Sequence, residues 1–232
     1  MSDPRLICAL DLPTADEARA LTERLGDAVE FYKVGLQLFA TDGMALARHL
    51  KGAGKQVFLD WKLHDIGATV EKAAAALAGS GCDLLTVHAR PQVMAAARKG
   101  AEGSGLKILG VTVLTSLTDA DLTADDHSLS AADLVALRVR QALDAGIDGV
   151  VSSPHEAAQV RALAEAAGRP DFLIVTPGVR PAGAALDDQA RAATPASALQ
   201  AGATHLVVGR PITAAPDPRA AAEAIVQEMT VA

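Results

Sequence analysis

The feature that most constrains the fold of this chain is an alternation of short apolar segments with helical patterns, repeated eight times. The apolar segments, which predict β-strands, are residues 6–12, 31–36, 56–59, 84–88, 107–115, 149–153, 172–176 and 205–208. The helical patterns run from residue 13 to a stop at residue 26, and then over residues 41–50, 66–78, 91–100, 130–145, 154–167, 195–201 and 218–229. Such alternation predicts parallel strands joined by right-handed crossovers, and eight units in 232 residues favour a (β/α)8 barrel.

The same alternation bears on domain organisation. No linker rich in glycine, serine or proline interrupts it, so residues 1–232 are predicted to form one α/β domain, a single TIM barrel. A doubly wound dinucleotide-binding sheet is the less favoured alternative, because no G-x-G-x-x-G follows the first strand.

Charge, cysteine content and apolar runs limit which binding partners and which cellular compartment are expected. The net charge of −7 argues against nucleic acid or an anionic membrane as main partner, although a local anion site is compatible with it. Cys8 and Cys82 lie in apolar runs without metal-like or disulfide-like spacing. The start of the chain predicts no signal peptide, and no apolar run reaches membrane-spanning length. We therefore expect a reduced, cytoplasmic protein.

The hexapeptide D-W-K-L-H-D that closes the third apolar segment is the most informative stretch for function. Asp60 and Lys62 are predicted to project to one face of a strand, and Trp61 and Leu63 to the other. Opposite charges at the end of a buried strand are costly unless they pair or take part in chemistry. A structural ion pair is the alternative interpretation, but the third charge, Asp65, and the barrel around it favour chemistry.

Residues that act in a TIM barrel lie at the C-terminal ends of its strands. Those positions hold Asp11, Lys33, Asp60, Lys62 and Asp65 on the first three strands, His88 and Thr115 on the next two, and Arg180, Gly209 and Arg210 after the last two. The acids and lysines of the first three strands form an array of alternating charge.

The segments after strands seven and eight predict a phosphate site, which those two loops often form in this fold. They read T-P-G-V-R (176–180) and V-G-R-P (208–211). Glycine lets a backbone amide approach an anion closely, and arginine offers it a fork of two donors. Either segment alone would suggest a turn with a surface arginine, but together they favour phosphate. Residues 181–193 would form a lid over the anion.

The sequence gives little support for a metal site or for a nucleophilic catalytic side chain. The histidines are scattered without ligand spacing, and no serine, cysteine or threonine lies in a nucleophile elbow. Asp60 and Asp65 could hold a divalent cation, but Lys62 between them supplies a competing positive charge. We therefore predict neither a metal site nor a cofactor. Whether His88 lines the pocket is left open, and His64 is expected to pack against protein.

Several short motifs occur in a fixed order along the chain. They are L-D (10–11), F-Y-K-V-G (31–35), D-x-K-x-x-D-I (60–66), V-T-V-L-T-S (111–116), T-P-G-V-R-P (176–181), D-Q (188–189) and V-G-R-P-I (208–212). This ordered set resembles the orotidine 5'-phosphate decarboxylase family over the whole chain. Two departures from the family pattern are Gly67-Ala68 in place of Pro-Asn, and Trp61 in place of leucine, and neither removes a charged group.

The resemblance implies an enzyme that converts orotidine 5'-monophosphate to UMP and carbon dioxide, the last step of de novo UMP synthesis, without a cofactor. Lys62 would deliver a proton to C6 as carbon dioxide leaves, and Asp60 would lie beside the substrate carboxylate. Lys33 and Asp65 would complete a Lys-Asp-Lys-Asp network.

The resemblance also implies a homodimer, because the second aspartate of the family reaches in from the other subunit. Asp65, Ile66 and Thr69 would then contact the partner's site. The remaining contacts implied are Asp11 and Lys33 with ribose hydroxyls, Thr115 with the pyrimidine edge, and Arg180, Gln189, Gly209 and Arg210 with the phosphate.

Elementary chemistry agrees with this reaction. Loss of carbon dioxide from C6 leaves a carbanion that no cofactor delocalises. Flanking carboxylates keep an ammonium group in its charged form, and such a fixed charge favours the developing anion without reorganisation. Contacts to a distant phosphate supply binding energy that is used at the reacting centre.

Two other functions stay open from the sequence. A metal-dependent keto-gulonate-phosphate decarboxylase or hexulose-phosphate synthase shares the barrel and the D-x-K-x-x-D motif, but it has an acidic metal ligand where this chain has Lys33. A non-catalytic phosphosugar-binding barrel would keep the phosphate segments, but it would not need four alternating charges.

Overall fold

The strands of this protein close into a parallel barrel in chain order. Its computed structural model describes residues 2–181 and 193–230. The strands are β1 (Leu6–Ala9), β2 (Phe31–Gly35), β3 (Gln56–Leu63), β4 (Leu84–His88), β5 (Lys107–Val111), β6 (Gly149–Val151), β7 (Leu173–Pro177) and β8 (His205–Val208). Each strand pairs in parallel with the next, and β8 pairs with β1. The predicted (β/α)8 architecture is confirmed.

Helices follow the strands and cover the outside of the barrel. Within the described residues they are α1 (Ala15–Leu25), α2 (Leu36–Phe39), α3 (Gly43–Gly52), α4 (Gly67–Ala78), α5 (Pro91–Gly100), α6 (Asp119–Ala124), α7 (Ala131–Asp144), α8 (Ala157–Ala166), α9 (Pro195–Gln200), α10 (Arg210–Thr213) and α11 (Pro218–Met229). None of these described helices combines the length and apolar character needed to cross a bilayer.

The interior of the barrel is sealed by a layer of apolar side chains. This inner cluster consists of Ile7, Ala9, Phe31, Phe58, Leu84, Leu109, Val175 and Val207. Side chains alternate along a strand, so the residues two positions after Phe31, Phe58 and Leu84 also point inward, closer to the C-terminal mouth. Those residues are Lys33, Asp60 and Thr86. The apolar layer therefore forms the floor of a polar site.

The fifth strand is shorter than the predicted residues 107–115. Its last ladder pair joins Val111 to Val151, and Val151 ends β6. Pro154, which has no amide hydrogen to donate, follows shortly afterwards, so residues 113–115 have no neighbouring strand to pair with. They instead form a loop at the mouth of the barrel. The first strand likewise ends at Ala9 rather than at residue 12.

Residues 116–128, which lie between the fifth predicted strand and the next predicted helix, contain the short helix α6. Its start is a capping box, in which the Thr118 hydroxyl accepts from the Asp121 amide and the Asp121 carboxylate accepts from the Thr118 amide at 2.8 Å. Leu122 is its buried side chain. One apolar anchor in six residues is too little for the helical period to be visible in the sequence.

The α4–α5 contact provides a test of how closely the outer helices pack. A Cβ atom added at Gly100 would lie 2.2 Å from the Glu71 carbonyl oxygen and 3.1 Å from the Ala75 amide nitrogen, whereas one added at Gly52 would meet nothing within 4 Å. Both glycines end a helix. We expect Gly100→Ala to destabilise the fold by about 2 kcal/mol through overpacking, and Gly52→Ala to leave it unchanged or slightly more stable. Thermal unfolding at one protein concentration measures both, and equal midpoints would contradict the close contact.

Candidate active site

A cavity of about 740 Å³ opens at the C-terminal mouth of the barrel. One side carries the charged residues of β1 to β3, and the opposite side carries the segments after β7 and β8. Its lining includes Asp11, Lys33, Asp60, Lys62, Val111, Thr115, Gly178, Arg180, Gly209 and Arg210. The structure thus gathers in one cavity most of the residues that strand position alone had singled out.

Four charged side chains form a continuous network in this cavity, with the Asp60 carboxylate at its centre. Lys62 Nζ donates to Asp60 Oδ1 at 2.9 Å, and Lys33 Nζ lies 3.6 Å from Asp60 Oδ2. Lys33 Nζ also donates to Asp11 Oδ1 at 2.8 Å. The Asp60 and Lys33 side chains are only 15% and 9% exposed, whereas that of Asp11 is 57% exposed. The inner part of the network is therefore shielded from solvent, and its outer carboxylate faces water.

The main chain of β3 is irregular where it presents these groups. β3 pairs with β4 through Leu59 with Leu85 and then through Leu63 with Val87, so residues 60–62 stand opposite the single residue Thr86. Lys62 has a φ of +49°, a left-handed conformation that is uncommon for a residue with a side chain. Asp60 and Lys62 share a side as predicted, but the bulge rather than a regular pleat produces this arrangement.

Trp61 points away from the cavity into the layer between barrel and helices. It is 6% exposed, and its ring lies 4.5 Å from that of Phe39 on α2. The replacement of leucine at this position therefore changes packing against α2 and leaves the charged groups on the opposite side.

Two opposing effects act on the ionisation of Asp60. Burial of its carboxyl would by itself raise the pKa. The charges of Lys33 and Lys62, together with hydrogen bonds from Lys62 and Thr86, outweigh burial and hold the pKa of Asp60 below its usual value. The carboxylate is thus kept ionised between two ammonium groups at neutral pH.

The anion-binding candidates face this network across the cavity. Gly178 has a φ of +79°, which favours glycine, and the neighbouring Arg180 is only 8% exposed. Gly209 precedes α10, which begins at Arg210, and Arg210 is exposed. Gln189 lies outside the described residues, as does most of the predicted lid. Two guanidinium groups and two glycine turns therefore give this side of the cavity a positive, amide-rich surface.

Comparison with known proteins shows which family this chain belongs to. The profile of the orotidine 5'-phosphate decarboxylase / HUMPS family matches residues 4–225. The chain belongs to this family. The resemblance seen in the sequence motifs is confirmed.

Close relatives cover nearly the full length. A protein of Caulobacter sp. (strain K31) named orotidine 5'-phosphate decarboxylase is 71% identical over 228 residues, which are 98% of this chain and 98% of that one. The protein of the same name from Caulobacter vibrioides (strain NA1000 / CB15N) is 69% identical with the same coverage. The crystal structure of orotidine 5'-phosphate decarboxylase from Lactobacillus acidophilus superposes with a TM-score of 0.83 at 38% identity, covering 98% of this chain and 99% of that one.

The residues that the family resemblance assigns to a partner subunit lie apart from the charge network. Asp65, Ile66 and Thr69 are all exposed, and Ile66 is 73% exposed. The Asp65 carboxylate accepts from the Ile66 amide at 2.6 Å, and it makes no ion pair with Lys33 or Lys62 of its own chain. Asp65 and Ile66 line a second cavity of about 750 Å³ together with Arg90. One chain thus brings together Asp11, Lys33, Asp60 and Lys62, but not Asp65.

The two histidines near the motif form a pair outside the main cavity. The rings of His64 and His88 lie 5.1 Å apart. Burial lowers the pKa of His88, and the neighbouring His64 and Arg138 lower it further. His64 is exposed rather than packed against protein as expected, and His88 does not line the main cavity. Neither ring therefore belongs to the charge network.

Two residues of the site were not identified from the sequence. A Cβ atom at Gly35 would lie 2.8 Å from Asp11 Oδ1 and 2.9 Å from Lys33 Nζ, so a glycine here makes room for that ion pair. Thr86 donates to Asp60 Oδ1 at 2.9 Å from inside the barrel. In the sequence, Gly35 is the last residue of the F-Y-K-V-G motif, and Thr86 is a hydroxyl residue at an inward position of the apolar strand β4.

The depressed pKa of Asp60 predicts how stability depends on pH. Its folded pKa lies below the ordinary aspartate value of 3.8, so the ionised carboxylate stabilises the fold above that value, and this contribution is lost as pH falls through the lower folded pKa. We expect Asp60→Asn to cost about 1–3 kcal/mol at pH 7, because hydrogen bonds to a charged carboxylate are lost. Urea unfolding of both proteins from pH 7 to pH 3 should show the difference shrinking below about pH 4.

The matched control for this measurement is Asp16→Asn. The Asp16 side chain is 90% exposed and pairs with Arg19 on the surface of α1, so its removal should change stability little at any pH. A gap between wild type and Asp60→Asn that stays constant down to pH 3 would contradict the assignment of a depressed pKa to Asp60.

Proposed function

We propose that this protein decarboxylates orotidine 5'-monophosphate to UMP and carbon dioxide in de novo pyrimidine biosynthesis, without a cofactor and within a single catalytic domain spanning residues 1–232. The observation that carries the proposal is the buried Asp60 carboxylate between two ammonium groups, facing an arginine- and glycine-lined surface in one cavity. Names of relatives at 69% and 71% identity support the same substrate.

Lys62 is the proposed proton donor. Its side chain is 26% exposed toward the cavity, while Asp60 Oδ1 accepts one of its hydrogens at 2.9 Å. Cleavage of the bond between C6 and the carboxylate leaves an electron pair on C6, and a proton from Lys62 Nζ takes up that pair. Because the ammonium charge is already held in place, it stabilises the developing carbanion without reorganisation.

The rest of the substrate would be held along the cavity. The substrate carboxylate would lie beside Asp60, the ribose hydroxyls beside Asp11 and Lys33, and the pyrimidine edge at Thr115. The phosphate would bind at Arg180, Gln189, Gly209 and Arg210. All of these residues except Gln189 line the same cavity, and this supports the proposed contacts. Contacts to the phosphate would supply binding energy that is used at C6.

A homodimer is part of the proposal. Asp65, Ile66 and Thr69 are exposed and do not reach the charge network of their own chain. In a dimer with two-fold symmetry each chain would give these residues to its partner's site and receive the same, which yields two complete Lys-Asp-Lys-Asp networks. In this arrangement the exposed Ile66 side chain would also be removed from water by the partner.

The metal-dependent sugar-phosphate enzymes of the wider family are less well supported for this chain. Lys33 stands on β2, and its ammonium group lies 3.6 Å from Asp60 Oδ2 and 2.8 Å from Asp11 Oδ1. A divalent cation among these carboxylates would be repelled by Lys33 and Lys62 together. A barrel that only binds phosphosugars is disfavoured as well, because the close relatives are named as enzymes.

The proposed compartment is the cytoplasm. Cys8 and Cys82 are free and buried. Burial raises the pKa of the Cys8 thiol to about 12, so this group stays protonated and unreactive. Both thiols suit a reducing compartment.

The direct test is turnover of orotidine 5'-monophosphate, followed by the fall in orotate absorbance with and without a metal chelator. We expect rapid turnover that chelator does not change, and a loss of at least about 10⁴-fold in kcat for Lys62→Ala, because proton donation and charge stabilisation are removed together. Lys51→Ala is the matched control, since Lys51 has the same 26% side-chain exposure and pairs with Asp83 at 2.8 Å outside the cavity. It should turn over at the wild-type rate.

Each unfavourable outcome points to a different error. Chelator-sensitive turnover would contradict the metal-free mechanism, and wild-type turnover by Lys62→Ala would contradict its role as proton donor. Folded protein that binds UMP but leaves orotidine 5'-monophosphate intact would mean that the phosphate site is right and the chemistry wrong. Keto-gulonate phosphate with magnesium would then be the next substrate.

The proposed exchange of Asp65 between subunits predicts complementation. Lys62→Ala and Asp65→Ala should each be nearly inactive alone. After the two are unfolded and refolded together, half of the dimers would be hybrids with one intact site, so activity should recover to about one quarter of wild type. Refolding each variant with itself is the control. No recovery from verified hybrid dimers would show that Asp65 does not act across the interface.

A further inference from the structure

Thr86 is a fully buried polar residue of β4 that links the main chain and the side chain of Lys62. Its hydroxyl donates to Asp60 Oδ1 at 2.9 Å and accepts from the Lys62 amide at 3.0 Å. Asp60 Oδ1 in turn accepts from Lys62 Nζ at 2.9 Å. The bonds form a closed ring that runs from the Lys62 backbone through Thr86 and Asp60 to the Lys62 ammonium group.

The bulge in β3 explains why this ring needs a side chain from β4. Residues 60–62 stand opposite Thr86 alone, so the regular ladder is interrupted at the Lys62 amide. A buried amide without an acceptor is costly, and so is the left-handed backbone of Lys62. The Thr86 hydroxyl supplies the missing acceptor at that position and thereby stabilises the conformation that aims Lys62 into the cavity.

The second bond of the hydroxyl acts on Asp60. A carboxylate can rotate about its bond to Cβ, and the pair of hydrogen bonds to Oδ1 from Lys62 and Thr86 fixes that rotation. Oδ2 is thereby turned toward Lys33, 3.6 Å away. The Thr86 hydroxyl, together with Lys62, thus sets the orientation of the carboxylate relative to both ammonium groups.

We propose that Thr86 is a positioning residue for the reaction, whose hydroxyl holds Asp60 and the main chain of Lys62 in the arrangement that aims the ammonium group at the substrate. This inference rests on the proposed function. Thr86 is absent from the cavity lining, and its contacts are with Asp60 and Lys62. It therefore acts through those two residues and not by touching the substrate.

The test compares three variants of the full-length protein. Thr86→Val keeps the shape and removes both hydrogen bonds, whereas Thr86→Ser keeps the hydroxyl. Thr204→Val is the matched control, because the Thr204 hydroxyl accepts from the Ile174 amide at 2.9 Å and donates to its carbonyl at 3.1 Å, joining β7 to β8 at the end of the barrel away from the mouth.

We expect Thr86→Val to lower kcat about 10- to 100-fold, as for loss of a hydrogen bond to a charged group. KM should change by less than about 2-fold, because no substrate contact is removed. Thr86→Ser should stay within about 3-fold of wild type, since the hydroxyl is kept. Thr204→Val should lower the thermal unfolding midpoint and leave kcat unchanged.

A second readout separates positioning from a merely structural role. Loss of the Thr86 hydroxyl removes one group that stabilises ionised Asp60, so the acid limb of the kcat–pH profile should move to higher pH in Thr86→Val only. Carbon-13 NMR titration of the aspartate carboxyl carbons should show the Asp60 signal titrating at higher pH in that variant. This measurement does not depend on turnover.

The outcomes keep this inference distinct from the proposed function. If wild type fails to decarboxylate orotidine 5'-monophosphate, the proposed function is wrong, and the NMR titration still decides whether Thr86 controls Asp60. If wild type is active and Thr86→Val matches it in kcat and in the acid limb, the positioning role is overturned. Equal losses of kcat in Thr86→Val and Thr86→Ser would likewise overturn it, since the hydroxyl would not be responsible.

Discussion

The structure of this site depends on one buried carboxylate held between two ammonium groups. Asp60 is nearly enclosed at the floor of the cavity, where an isolated charge would be neutralised by a shift in its pKa. Lys33 and Lys62 prevent this from two directions, at 3.6 Å and 2.9 Å. Lys62 in turn is held by this carboxylate, whereas Lys33 also pairs with Asp11 at 2.8 Å. Removing Asp60 would therefore take away the carboxylate that both lysines share.

The barrel supplies the geometry that this network requires. The apolar inner cluster closes the barrel below Lys33 and Asp60, so the charges lie on an apolar floor and open toward the mouth. In such surroundings each electrostatic interaction is stronger than in water. The bulge of β3 then places Lys62 at the edge of the same floor, with its ammonium group accessible to a ligand. Rigid strands thus hold charges that a flexible loop would allow to relax.

The two sides of the mouth divide the work of the proposed reaction. The first three strands carry the charged groups that would act at C6, and the segments after β7 and β8 carry the arginines and glycines that would hold the phosphate. This separation lets binding energy at one end of the substrate act on bond breaking at the other. Membership of the orotidine 5'-phosphate decarboxylase / HUMPS family agrees with that division. The exposed Asp65 makes a single chain an incomplete version of the proposed network.

The sequence by itself determined the barrel, the strand ends that carry charge, and the family, because apolar period, chain order and motif spacing are local properties of the chain. It could not reveal the left-handed Lys62, the room that Gly35 makes for an ion pair, or the hydroxyl of Thr86 on Asp60. These depend on how β2, β3 and β4 meet across the barrel. The register between neighbouring strands is decided by packing over the whole closed sheet, so only the tertiary structure could place one hydroxyl between two charged residues more than twenty positions away in the chain.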